Sequence, residues 1–203
     1  MSFIADVFEK GGVLVYPLLL LLVAGIYVIV VKSMALRRRK IINPAVVEHV
    51  EQLLIGKKIP EAAAYCKQHA IPMTRVLLAG IVNYEKSEPE LKEILEEAGR
   101  QEIPQIRSYL ATLGTIASVA PLLGLFGTVL GMISVFATLS ESTTVNPSLL
   151  AGGISEALIT TAIGMLIAMP TLAFYNYFIA RVQNLIIEME KISLRLVAVL
   201  KRA

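Results

Sequence analysis

One acidic residue stands where acids are rare. Glu156 lies in Ala151-Gly-Gly-Ile-Ser-Glu-Ala-Leu-Ile-Thr-Thr-Ala-Ile-Gly164, among small and hydroxyl-bearing residues, and from 108 to 180 the only other charged residue is Glu141. A carboxylate at the centre of a bilayer costs roughly 2.5–3.5 kcal/mol on insertion scales, so such a group is expected to face protein or water and to serve a purpose. Exchange of a proton is the chemistry that fits. The bland alternative is a protonated carboxyl group that hydrogen-bonds across a helix interface. No Lys or Arg lies within the apolar stretches to neutralise Glu156, so any countercharge must come from another chain. Thr128 falls at a similar depth by residue counting, roughly 16 Å from the outer end of its stretch against roughly 14 Å for Glu156. Thr160 is one helical turn from Glu156, while Thr161 is rotated from it by roughly 140°.

Other chemistries find little support. His49, His69 and Cys66 are not spaced as metal ligands, and they read as residues of a small helical bundle. Neither a glycine-rich phosphate loop nor a nucleophile elbow is present. Aspartic hydrolysis needs two neighbouring carboxylates, and the apolar stretches offer only Glu156. The expectation is therefore a protein that is not an enzyme, with no catalytic residue, no metal and no cofactor.

The elements that must position Glu156 follow from composition. Of 203 residues, 56% are hydrophobic and 17% charged, with a mean hydropathy of +0.69. A soluble domain carries about 25% charged residues, so a membrane protein is the first reading, and disorder or a nucleic-acid module is excluded. Three uncharged or nearly uncharged stretches predict transmembrane helices over 13–31, 110–139 and 148–180. The polar break Ser140-Glu-Ser-Thr-Thr-Val-Asn-Pro147 reads as the turn between the last two. Thirteen Lys and Arg residues lie between Lys32 and Arg107, against none in the 140–147 loop. That asymmetry places segment 32–109 and the tail 181–203 in the cytoplasm, and segment 1–12 with the 140–147 loop outside. Lacking a small-residue cleavage site, the first span reads as an uncleaved anchor.

The cytoplasmic segment reads as short helices punctuated by proline and glycine. Asn43-Pro44 opens one that Gly56 stops; Pro60, Pro72 and Glu88-Pro89 open the next three. The helix from about 90 either runs on into the second span or is interrupted at Pro104. Glu85, Glu88, Glu90, Glu93, Glu96, Glu97 and Glu102 form an acidic run that reads as a solvated helix face. Small residues recur at helical spacing in both long spans: Ala117, Pro121, Gly124, Thr128 and Gly131 in one, Ala157, Thr161, Gly164 and Ala168 in the other. Gly127 and Gly131 add a GxxxG pair. Such faces let helices approach closely.

Two motifs resemble a known family. Leu113-Gly-Thr-Ile-Ala-Ser-Val-Ala-Pro-Leu-Leu-Gly-Leu-Phe-Gly-Thr-Val-Leu-Gly-Met132 resembles the second-span signature of the ExbB/TolQ proton-channel family, related to MotA stators. Gly153-Ile-Ser-Glu-Ala-Leu-Ile-Thr-Thr-Ala-Ile-Gly-Met165, followed by Pro170 and Tyr175-Asn176, resembles the third span. The resemblance implies an all-α polytopic protein of the bacterial inner membrane, with a periplasmic N-terminus, a cytoplasmic C-terminus and long helices extending into the cytoplasm. It implies a homopentamer around the single spans of two ExbD/TolR-like chains, acting on a TonB/TolA-like protein. By motif, Glu156 matches the family's pore glutamate, and Thr128 and Thr161 match its threonines; Thr160 is the adjacent candidate. An ExbB-type subunit would use the proton-motive force to energise outer-membrane transport. A TolQ-type subunit would serve envelope integrity and division. The rival of another class is a passive membrane scaffold.

Overall fold

A computed structural model describes residues 13–141 and 147–202. The expected outer segment 1–12 and most of the 140–147 loop lie outside the described residues, as does Ala203. The described chain is all-α, and it contains α1 (Val15–Ala35), α2 (Arg38–Ile41), α3 (Pro44–Ile55), α4 (Ile59–Gln68), α5 (Pro72–Val82), α6 (Glu88–Arg107), α7 (Leu110–Glu141) and α8 (Pro147–Arg202). Three of these, α1, α7 and α8, are long and apolar enough to cross a membrane.

The expected helix openings at Pro44, Pro72 and Glu88 coincide with observed starts, and Pro60 is the second residue of α4. Proline is tolerated there because the first turn leaves its N–H groups unbonded in any case. Glu90 accepts the Ser87 backbone N–H at 2.9 Å and so closes the first turn of α6. Pro104 does not interrupt α6, although it leaves the Arg100 carbonyl without its usual donor. The interruption comes instead at Ser108, which is extended (φ −48°, ψ 148°), and Tyr109, which is left-handed (φ 61°). No continuous rod therefore runs from 90 to 139.

The chain folds as two compact units. In the first, 13–31 and 109–176, Leu18 of α1 packs with Ile116 and Ala120 of α7 and with Ile167 and Ala168 of α8. Tyr16, Leu20, Val23, Ile26, Tyr27 and Val30 on the rest of α1 are exposed, as lipid-facing residues would be.

In the second unit, 32–108 and 177–202, the last part of α8 buries Phe178, Val182, Leu185, Met189, Ile192, Leu196 and Leu200. Their steps of three and four make one helix face. Gly80 of α5 takes the closest approach: a Cβ there would lie 2.8 Å from Leu95 and 3.0 Å from Leu196. The acidic run is partly neutralised, by Lys92 on Glu88 (2.7 Å), Arg100 on Glu96 (2.6 Å) and Arg75 Nε on Glu102 (2.7 Å). Tyr65 packs between His49 and His69 as tilted ring pairs, with centroids 4.5 and 4.3 Å apart. Cys66 is buried beside them in sequence, and burial pushes its thiol up to about 11.

Candidate proton site

The site is set by how α7 and α8 touch. Glycine makes the contact close. A Cβ at Gly124 would meet the Thr160 carbonyl and Thr161 Cα at 3.0 Å, and one at Gly131 would lie 2.8 Å from the Ala157 Cβ. At Gly127 it would collide with the Thr160 side chain, whose Cβ is 2.7 Å away. Gly164 answers from α8, where a Cβ would lie 3.1 Å from Gly124 Cα, and Gly153 is set against Val135. The seam is thus Ala120, Gly124, Gly127, Gly131 and Val135 against Gly164, Thr161, Thr160, Ala157 and Gly153. The sequence expectation placed Thr128 and Thr161 within the two facing stripes. The observed stripe on α8 includes Thr161, whose Cα lies against Gly124, and also the more deeply buried Thr160, which is 3% exposed; Thr128 stands half-buried at the edge of the α7 stripe.

The three hydroxyl groups are committed differently. Thr160 Oγ1 donates within its own helix to the Ala157 carbonyl at 2.7 Å and lies 3.5 Å from the Gly124 carbonyl across the seam. Thr161 Oγ1 donates across the seam to the Gly124 carbonyl at 2.8 Å. In an α-helix that carbonyl is also the partner of the Thr128 N–H, so Thr128 and Thr161 converge on one oxygen. Thr128 Oγ1 donates to the Leu125 carbonyl at 2.6 Å. Each hydroxyl proton is thereby held by backbone, leaving the oxygen lone pairs to accept from water or another chain.

Glu156 does not join them. The seam register sets Thr128 level with Thr160 and Glu156 level with Met132. Glu156 thus lies about 6 Å, one turn, nearer the Pro147 end than Thr128. Residue counting from the loop had put both at one depth; packing of the small residues, not loop position, fixes the register. By helical pitch Glu156 and Thr161 flank opposite edges of the α8 stripe. Glu156 is half-buried, and no hydrogen bond or ion pair reaches it from the described residues. An acid on an apolar helix, without a side-chain partner among the described residues, is open to water or to a group from another chain. Among the described residues no three His, Cys, Asp or Glu side chains are grouped to hold a metal ion.

Comparison with known proteins shows the family. Residues 68–191 match the model of the MotA/TolQ/ExbB proton channel family. An ExbB-like biopolymer transport protein (ExbB-like 3) of Synechocystis sp. is 33% identical over 176 residues, covering 83% of this chain and 81% of that one. The Tol-Pal system protein TolQ of Haemophilus influenzae is 42% identical over 85 residues, 42% of this chain and 37% of its own. The ExbB of Salmonella typhimurium is 46% identical over 70 residues, 34% of this chain and 28% of its own. With more than half its length matched by the family model and all its membrane-type helices in place, the chain belongs to the MotA/TolQ/ExbB proton channel family.

Proposed function

We propose that this chain is the proton-channel subunit of an ExbB–ExbD-like motor in the bacterial inner membrane. The observation that carries this reading is Glu156, an acid without a side-chain partner among the described residues, on a helix whose apolar length suits a membrane span. Five copies would surround the single spans of an ExbD/TolR-like dimer, with α7 and α8 lining the pore. The N-terminus would be periplasmic and the C-terminus cytoplasmic, as the Lys and Arg asymmetry favours. Protons moving inward would load Glu156 or a partner carboxylate. Thr128 and Thr161, with protons already donated to backbone, would present oxygen lone pairs to water on the pathway. An elementary charge crossing 100 mV releases about 2.3 kcal/mol, so several protons suffice to move the partner chain. Movement of the partner would energise outer-membrane transport; a TolQ-type role in envelope integrity uses the same channel.

The test is Glu156→Gln, which keeps size and hydrogen bonding but cannot ionise. The complex should assemble at its normal size yet lose partner-dependent energy coupling. Full coupling in a correctly assembled variant would remove Glu156 from the mechanism and favour a passive scaffold.

A further inference from the structure

We propose that Lys32 imposes the break between α6 and α7, so that removing its ammonium group lets the two helices join. The local sequence does not ask for a break at that point. Gln105-Ile-Arg-Ser-Tyr-Leu-Ala-Thr-Leu113 contains neither Gly nor Pro, and Pro104 is accommodated inside α6. Yet Tyr109 adopts φ 61°, a region that an aromatic L-residue rarely enters. Something outside the segment must hold it there.

Lys32 is the group in place to do so. It is 2% exposed, a rare state for a lysine. Its Nζ donates to the Ile106 carbonyl at 3.1 Å and to Ser108 Oγ at 3.2 Å. The Ile106 carbonyl belongs to the last turn of α6, where carbonyls lack intrahelical donors and the helix dipole favours a cation. In a continuous helix that same carbonyl would accept from the Leu110 N–H, and the Ser108 side chain would turn away with its backbone. The ammonium therefore takes the place of the next turn. It is contributed from 74 residues earlier in the chain, and this explains why local propensity does not foretell the break. Lys32 thus caps α6 as well as contributing to the positive charge that follows the first span.

The inference concerns the backbone at Ser108–Tyr109 and is independent of the proton-channel reading. The test substitutes Tyr109 by Gly and by Ala, each with Lys32 and with Lys32→Met, in the full chain extracted in detergent. With Lys32 present, Tyr109→Gly should melt higher than Tyr109→Ala, because glycine accepts positive φ and alanine does not. With Met at 32 the order should reverse, since alanine favours the continuous helix. In parallel, amides 110–112 lack helical acceptors at the start of α7 and should exchange rapidly in the native chain. Lys32→Met alone should slow their hydrogen exchange by about tenfold or more. If Met at 32 prevents recovery of the chain, Lys32→Gln replaces it under the same criteria. An unchanged order of the Gly and Ala variants, or unchanged exchange at 110–112, would overturn the assignment.

Discussion

At the scale of single residues, adjacent threonines have separate duties. Thr160 fills the seam and donates mainly to its own helix, at 2.7 Å against 3.5 Å to Gly124, whereas Thr161 reaches across to Gly124 at 2.8 Å beside Thr128. Thr161→Ala should therefore weaken coupling strongly while costing roughly 0.5–1.5 kcal/mol of stability, the net worth of one hydrogen bond. Thr160→Ala should act mainly on stability, with coupling near native. Paired coupling and thermal-melt measurements would separate the two, and equal coupling losses would contradict the division. Cys66 offers a second residue-scale check. With its thiol raised to about 11, the folded protein should hold very little thiolate at pH 8.5, on the order of 100-fold less than the unfolded chain. Alkylation should accordingly be slow until denaturant is added. Because the folded form keeps the proton, stability should fall as pH rises from about 8.5 toward 11.

At the scale of elements, the contact of α7 with α8 depends on glycine. Gly127→Ala would drive a methyl group into the Thr160 side chain and push the helices apart. Overpacking of this kind costs about 1–3 kcal/mol, and the displaced register would also separate Thr161 from Gly124. The double variant Gly127→Ala with Thr160→Gly makes room by exchanging which helix carries the bulk. It should recover much of the loss in both melting temperature and coupling. Failure of the second substitution to rescue the first would mean that the seam does not limit function.

At the scale of the whole molecule, topology and assembly are the testable properties. Native Cys66 is a poor reporter of sidedness, since a buried thiol stays silent on either side of a membrane. The exposed neighbour Gln68 serves better. In a Cys66→Ala background, Ser142→Cys should label with an impermeant reagent in sealed cells and Gln68→Cys should not, in line with the positive-inside asymmetry. Exposed Leu122, Leu125, Phe126, Val129, Ile133 and Phe136 on α7 exceed what a lone water-soluble chain would show, and they suit lipid or further copies. Native mass spectrometry of the extracted complex should give a five-fold assembly. A monomer as the sole species would refute it.

The sequence by itself determined the three apolar helices, the openings at Pro44, Pro72 and Glu88, and the isolation of Glu156 as an acid without a cation in its own spans. These are legible because hydropathy, proline geometry and charge act locally, over one helix or one turn. It also carried the family resemblance, through the small-residue and threonine motifs of 113–132 and 153–165. Tertiary structure decided the rest. It added Thr160 to the seam beside Thr161 and set Glu156 one turn from Thr128. It carried α8 without interruption to Arg202, because the tail buries its own three- and four-spaced apolar face. It resolved the open choice between a continuous helix and a break at Pro104 by setting the break at Ser108–Tyr109, where a lysine from the end of α1 supplies the cap. Each of these depends on groups far apart in the chain: glycine contacts between helices are chosen by fit, and a backbone break is held by an ammonium group 74 residues away. Local propensity cannot encode a contact whose second partner lies on another helix.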